Sequence, residues 1–290
     1  MRLSFFNSLN TMLEISEPYH LQNKVVIYFH RISSLTLVPM ISLAFNTLHG
    51  IEESFFNVNY CYKHWVSYFL YLSKLNEEVE KQVNLNEIKG SYDAIFSLGN
   101  LCLTSIQLKK HNLRPYSGVL DWVASPDLSK VINLLENRFI GFLDYENLRV
   151  LGYADKYICV SDDGYRIVSN HDFGIDENTL ENLWSYHEVM KKYNRRIKRF
   201  LEEMNQAKNI LFVRTEATFE EVSKLHEVLS DLVAHDFKIL IVNHTDTQEL
   251  VEKNWPLDKV CAVELPNEDI WEGNHSLWED MLNGITLNKK

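Results

Sequence analysis

The sequence predicts an α/β fold: a mostly parallel sheet with flanking helices and one β-hairpin, plus a mainly helical N-terminal region. Three observations carry this prediction. The last third alternates strand-like and helical segments with short connections, the pattern of parallel strands covered by helices. Asp163-Gly164 lies between two β-rich runs, which is a hairpin signal. The first ninety or so residues are rich in aromatics and Leu, poor in Gly, and show no period-two alternation. The expected division is residues 1–90 as a mainly helical region and residues 91–290 as an α/β domain that carries the candidate active site.

Composition narrows the function. A chain of 290 residues has room for a sizeable core. Its formal net charge of -11 argues against a nucleic-acid partner, because neutralising phosphates needs excess Lys and Arg. Cys61, Cys102, Cys159 and Cys261 are far apart and form no CxxC pair, so neither a disulfide framework nor a thiolate zinc site is expected. No HExxH-type spacing occurs. No metal and no cofactor is expected. The apolar stretch Ile32–Leu48 is short, contains polar residues and is broken by Pro39, so it predicts packing and not a membrane span. The expected setting is cytoplasmic and reducing.

In chain order, Trp65–Leu75 has helical spacing and residues 76–84 form a charged helix end or linker. Ala94–Leu98 reads as a buried strand. Gly99-Asn100 turns the chain, and a helix runs from about Cys102 through Lys110, ending near Asn112 and Pro115. A short apolar run, Gly118–Leu120, delivers Asp121 and Trp122. Leu128–Phe139 is a helix that begins at Ser125-Pro126-Asp127, and Gly141–Gly152 is irregular. The hairpin pairs 156–160 with 165–169 and offers His171 at its end. A long helix spans about Thr179–Asn205, with a basic face in RRIKRF. Strands are predicted at Asn209–Val213, Phe237–Val242 and Val260–Leu265, with helices at Phe219–Leu232 and Thr247–Lys253. A short amphipathic helix around Trp278 closes the chain.

In open α/β sheets, ligands bind beyond the carboxyl ends of the strands. Polar residues gather at those ends here: Asn100, Cys102, Asp121, Arg214, Glu216, Asn243 and His244. Cys102 begins a helix, where free amides and the helix dipole favour a thiolate. A thiol, an imidazole and a carboxylate form a nucleophilic acyl-transfer set. Cys102, His171 and Asp121 are the candidates, with Asp172 competing for the carboxylate role. Asn100 or the helix-start amides are candidate oxyanion donors. Trp122, Asp172, Arg214, Glu216, Asn243 and His244 are candidate substrate contacts.

The blocks SLGNLC, QLKKHNLRPYSGVLDW, SNHDF, YNRRIKRF, ILFVRTE and ILIVNHT together resemble the bacterial DUF1796 family of papain-like cysteine peptidases, from Tyr92 to near the C-terminus. The resemblance implies a Cys102 nucleophile with His171 as base. Three functions follow as expectations. The first is a cysteine-dependent amide or thioester hydrolase or acyltransferase acting on a small or carrier-bound acyl substrate. The second is a transferase holding a nucleotide-activated sugar or phosphorylated substrate, with Arg214 on the anion. The third is a non-catalytic binding protein.

Overall fold

The computed structural model describes residues 83–288. The expected helical region over 1–90, including the Trp65–Leu75 helix, lies almost wholly outside them. The described chain is a mixed α/β structure with six α-helices, eleven strands and three sheets.

Its elements begin with a one-turn helix α1 (Leu85–Ile88), capped by Asn84 and Glu87. Then come β1 (Gly90–Tyr92), β2 (Ala94–Ser97), α2 (Leu103–Lys110), β3 (Val123–Ala124) and α3 (Leu128–Glu136). Strands β4 (Leu148–Ala154), β5 (Tyr157–Asp162) and β6 (Ile167–Gly174) follow, then the long α4 (Tyr186–Gln206). The last third holds β7 (Asn209–Thr215), α5 (Phe219–Leu232), β8 (Asp236–Thr245), β9 (Val251–Lys253), β10 (Val260–Pro266), α6 (His275–Leu282) and β11 (Ile285–Leu287).

The sheet arrangement corrects the expectation of one mostly parallel sheet. A five-stranded sheet runs β2-β7-β8-β10-β9, parallel except at β9. A separate antiparallel sheet runs β3-β6-β5-β4, and β1 pairs with β11. The predicted hairpin is present as β5–β6, but it is the middle of that second sheet. The stretch expected to be irregular, Gly141–Gly152, contains most of β4, which pairs with β5. The predicted short helix at Thr247–Lys253 ends instead in β9, an antiparallel edge strand beside β10.

The central strands are buried on both faces, as parallel strands between helices must be. Side chains alternate between the faces. Ala94, Phe96, Ile210, Phe212, Ile239 and Ile241 pack with α3, α4, α5 and the antiparallel sheet. Ile95, Leu211, Val213, Leu240 and Val242 pack on the other face with Leu103 and Leu108 of α2 and Trp278 and Met281 of α6. Thus the chain leaves β2 toward one face and leaves the adjacent β7 toward the opposite face. A crevice opens at the carboxyl ends of such a pair of strands, where the winding reverses.

Candidate functional site

The turn from β2 into α2 is built to expose Cys102 in that crevice. Gly99 and Asn100 both have positive φ, at 84° and 76°. Gly99 cannot be otherwise, since a Cβ there would lie 2.3 Å from Ser125 Oγ. Ser125 staples the turn on both sides: its Oγ accepts from Asn100 N at 3.1 Å, and its own N–H donates to Asn100 O at 2.8 Å. Arg214 completes the brace by donating to Leu98 O at 2.8 Å and Ser125 O at 2.9 Å. Cys102 is the residue before the first turn of α2, and its side chain caps no amide.

His171 arrives from the antiparallel sheet through a break in register. Ile158 pairs with Phe173 and Val160 with Ser169, so between them β5 carries only Cys159 while β6 carries Asn170, His171 and Asp172. Such bulges re-aim side chains. His171 projects outward, and Asp172 turns inward to 2% exposure. His171 Nε2 lies 3.7 Å from Cys102 Sγ. Two aromatic edges flank the imidazole, Trp122 at 5.9 Å and Tyr157 at 5.5 Å between ring centres, each near perpendicular. Burial pushes the Cys102 thiol above its ordinary range, its own backbone amide works against that, and the Asp121 charge adds to the rise. Burial thus disfavours the thiolate at Cys102, which stands beside the His171 imidazole.

Neither expected carboxylate hydrogen-bonds His171. Asp121 is 1% exposed and pairs with Arg114 at 2.8 Å, with Gly118 N donating to it at 2.7 Å. Burial nonetheless raises its carboxyl above the usual range. Asp172 accepts from Lys192, from Tyr193 Oη at 2.7 Å and from Ser169 Oγ at 2.6 Å. The physical reason is burial: each carboxylate is inside the protein, and buried charges need nearby cationic or hydroxyl partners.

The other predicted site residues mostly sew strand ends together. Arg214 is 0% exposed, and burial lowers its pKa to about 10; its two Nη groups donate to backbone carbonyls, while Nε is buried without a partner. Asn243 mimics a peptide against Ala217, accepting from its N–H and donating to its C=O, both at 2.9 Å. Glu216, at φ 55°, approaches Nδ1 of His244 at 2.5 Å. Asn100 Nδ2 donates to Thr215 Oγ1 at 3.4 Å, which ties the Cys102 turn to the end of β7. Trp122 is the one candidate substrate contact that reaches the Cys102–His171 pair. Sequence reasoning passed over Ser125, Arg114 and Tyr157 as site residues.

The model of the family described as "Putative papain-like cysteine peptidase (DUF1796)" matches residues 93–247, more than half of the chain. The chain belongs to this DUF1796 family. The match contains Cys102, His171, Asp121 and all the strand-end residues above. It stops well short of the C-terminus, so β9, β10, α6 and β11 lie beyond it, in contrast to the wider extent the sequence blocks suggested. A relative from Acanthamoeba polyphaga mimivirus, named "Uncharacterized protein R408", is 24% identical over 221 residues. That alignment covers 66% of this chain and 98% of the viral protein. No solved structure matches the chain. Among the described residues no cluster suited to a metal ion occurs, and no helix is long and apolar enough to cross a membrane.

Proposed function

We propose that this DUF1796 protein is a cysteine-dependent hydrolase of amide or thioester bonds, with Cys102 as nucleophile and His171 as general base and acid. The observation that supports it most is the 3.7 Å approach of Cys102 Sγ to His171 Nε2. The two side chains are 69 residues apart in sequence and are delivered by different sheets. The family description points to the same chemistry.

The sulfur attacks the substrate carbonyl carbon as Nε2 takes the thiol proton. The C–O π pair moves onto oxygen, which faces the free amides at the start of α2. Collapse of the adduct expels the amine or thiol, which leaves with the proton from Nε2. Water then attacks the thioester, gives a proton to Nε2, and releases the acid and the regenerated thiol. If an acceptor hydroxyl or amine replaces that water, the same steps make an acyltransferase. The phosphorylated-substrate reading loses support, because Arg214 is fully buried and its Nη groups donate to backbone carbonyls.

The test is iodoacetamide alkylation mapped by mass spectrometry on wild type and on His171→Ala. At neutral pH the half-buried thiol needs His171 to take its proton, so His171→Ala is expected to slow Cys102 alkylation by about tenfold or more. Cys102 reacting no faster than Cys159, with no effect of His171→Ala, refutes the reading.

A further inference from the structure

Among the described residues no carboxylate hydrogen-bonds His171, and the imidazole is flanked instead by the ring edges of Trp122 and Tyr157. We propose that the buried Arg114–Asp121 pair positions both halves of the dyad, holding the first turn of α2 on one side and fixing Trp122 against His171 on the other. This rests on the Cys102–His171 reading above.

The contacts run unbroken in both directions. Toward Cys102, Arg114 Nε donates to the backbone carbonyl of Ser105 at 3.1 Å. Ser105 lies in the first turn of α2, three residues after Cys102. Toward His171, Arg114 Nη1 donates to Ser117 Oγ at 3.1 Å, and Trp122 Nε1 donates to the same oxygen at 3.1 Å. The Arg114 guanidinium carbon stands 5.2 Å from the centre of the Trp122 ring, over its face. Trp122 in turn sets its ring nearly perpendicular to that of His171. Gly118 N completes the hub by donating to Asp121 Oδ2.

Residue choice fits the task. Only a planar guanidinium presents several donors in a fixed fork and also stacks on an indole. A buried ion pair is weak as a device for stability, since apolar residues of the same volume often do as well. Its value here is geometric, because it ties the segment from Arg114 to Trp122 to the first turn of α2 and sets the Trp122 ring beside His171. Arg114 and Asp121 are positioning residues: neither touches the reacting atoms.

The test compares second-order rates of Cys102 alkylation by iodoacetamide in the full chain, as a function of pH, with Cys159 as the internal reference and thermal melting as the check on folding. Positioning predicts that Asp121→Asn slows Cys102 by about tenfold to a hundredfold, as loss of alignment does. Simple electrostatics predicts the opposite sign. Removing the Asp121 charge takes away an influence that raises the thiol pKa, so a bystander carboxylate would leave Asp121→Asn as fast as wild type or faster. That outcome overturns the proposal. On a His171→Ala background, Asp121→Asn should slow alkylation no further, because the aligned partner is already gone. A merely structural role would add its loss on both backgrounds.

Two variants at Trp122 leave the ion pair in place and serve if Asp121→Asn does not fold. Trp122→Leu removes the ring edge and should slow Cys102 in the same range as Asp121→Asn. Trp122→Phe keeps an edge and should stay within about threefold of wild type. Wild-type rates for Trp122→Leu overturn the proposal. Failure of the dyad reading shows separately, as an alkylation rate that His171→Ala does not change in the otherwise native chain.

Discussion

Gly99→Ala tests whether the β2–α2 turn is held as described. Two costs arise. Alanine at φ 84° is in the left-handed region, which disfavours a Cβ by about 1–2 kcal/mol. The new Cβ would also sit 2.3 Å from Ser125 Oγ, so the hydroxyl must rotate away and give up its bond from Asn100 N. That bond contributes about 1 kcal/mol. The expected loss is about 2–3 kcal/mol, or a fall in Tm of about 5–10 °C for a domain of this size. The clash term is separable. With Ser125→Ala the offending oxygen is gone, and the next atoms, Leu120 Cβ at 3.5 Å and Arg214 Nη1 at 3.6 Å, are at ordinary contact distance. On that background Gly99→Ala should cost only the left-handed term, leaving a coupling of about 1 kcal/mol between the two sites. Thermal or urea unfolding of the four proteins measures it. Equal costs of Gly99→Ala on both backgrounds would refute the geometry, and so would a loss below about 0.5 kcal/mol in the wild-type chain.

Two further outcomes follow from buried charges. Burial works to raise the Asp172 carboxyl, but Lys192, Ser169 and Tyr193 outweigh it and hold the group below the ordinary carboxylate range. A depressed carboxyl contributes stability above its unfolded value of about 3.9, and that contribution is lost as pH falls through the folded value. Asp172→Asn should therefore cost about 1–3 kcal/mol at neutral pH, with the gap to wild type closing below about pH 4; urea midpoints across pH measure the gap. A gap that persists unchanged into acid refutes the assignment. Arg214→Met leaves the Leu98 and Ser125 carbonyls without their donor and should cost about 3–5 kcal/mol; a melting temperature within about 2 °C of wild type would show that the brace is dispensable.

Periodicity was enough for the central elements. The helix at Phe219–Leu232 and the three strands of the last third fall where apolar spacing puts them, because those segments are buried and their patterns follow from that burial. β4 was hidden because its exposed side carries Arg149, Leu151 and Tyr153, so polarity does not alternate as it does in a half-buried strand. Thr247–Lys253 has the composition of a helix, and only its pairing with β10, reinforced by Lys253–Glu264 at 3.0 Å, makes its end a strand. Residue types and strand ends singled out Cys102 and His171. The partners of the carboxylates were not legible. Arg114 reads as part of a helix terminus, and Lys192 and Tyr193 as one face of a basic helix. An arginine at a strand end looks like an anion ligand until its burial is known. Which acid meets which base is decided by packing between distant segments, and no local pattern records that.

Two sheets meeting at one site also explain why a papain-like family can contain parallel βαβ units. On the proposed Cys102–His171 reading, the parallel sheet supplies a helix start in a crevice where the winding reverses, a place suited to a nucleophile that needs free amides beside it. It offers no strand that runs back across the mouth of the crevice to bring a base. The antiparallel sheet does, through β3 and β6, and the bulge at His171 turns the imidazole outward while Asp172 anchors the same strand to α4. β3 follows directly on Trp122, so the segment from Arg114 to Trp122 is the covalent and hydrogen-bonded bridge between the two sheets. Cys102 and His171 belong to different sheets, and their 3.7 Å approach is only as reliable as that bridge. It is therefore the bridge, more than either sheet, where a substitution remote from the thiol should disarm it.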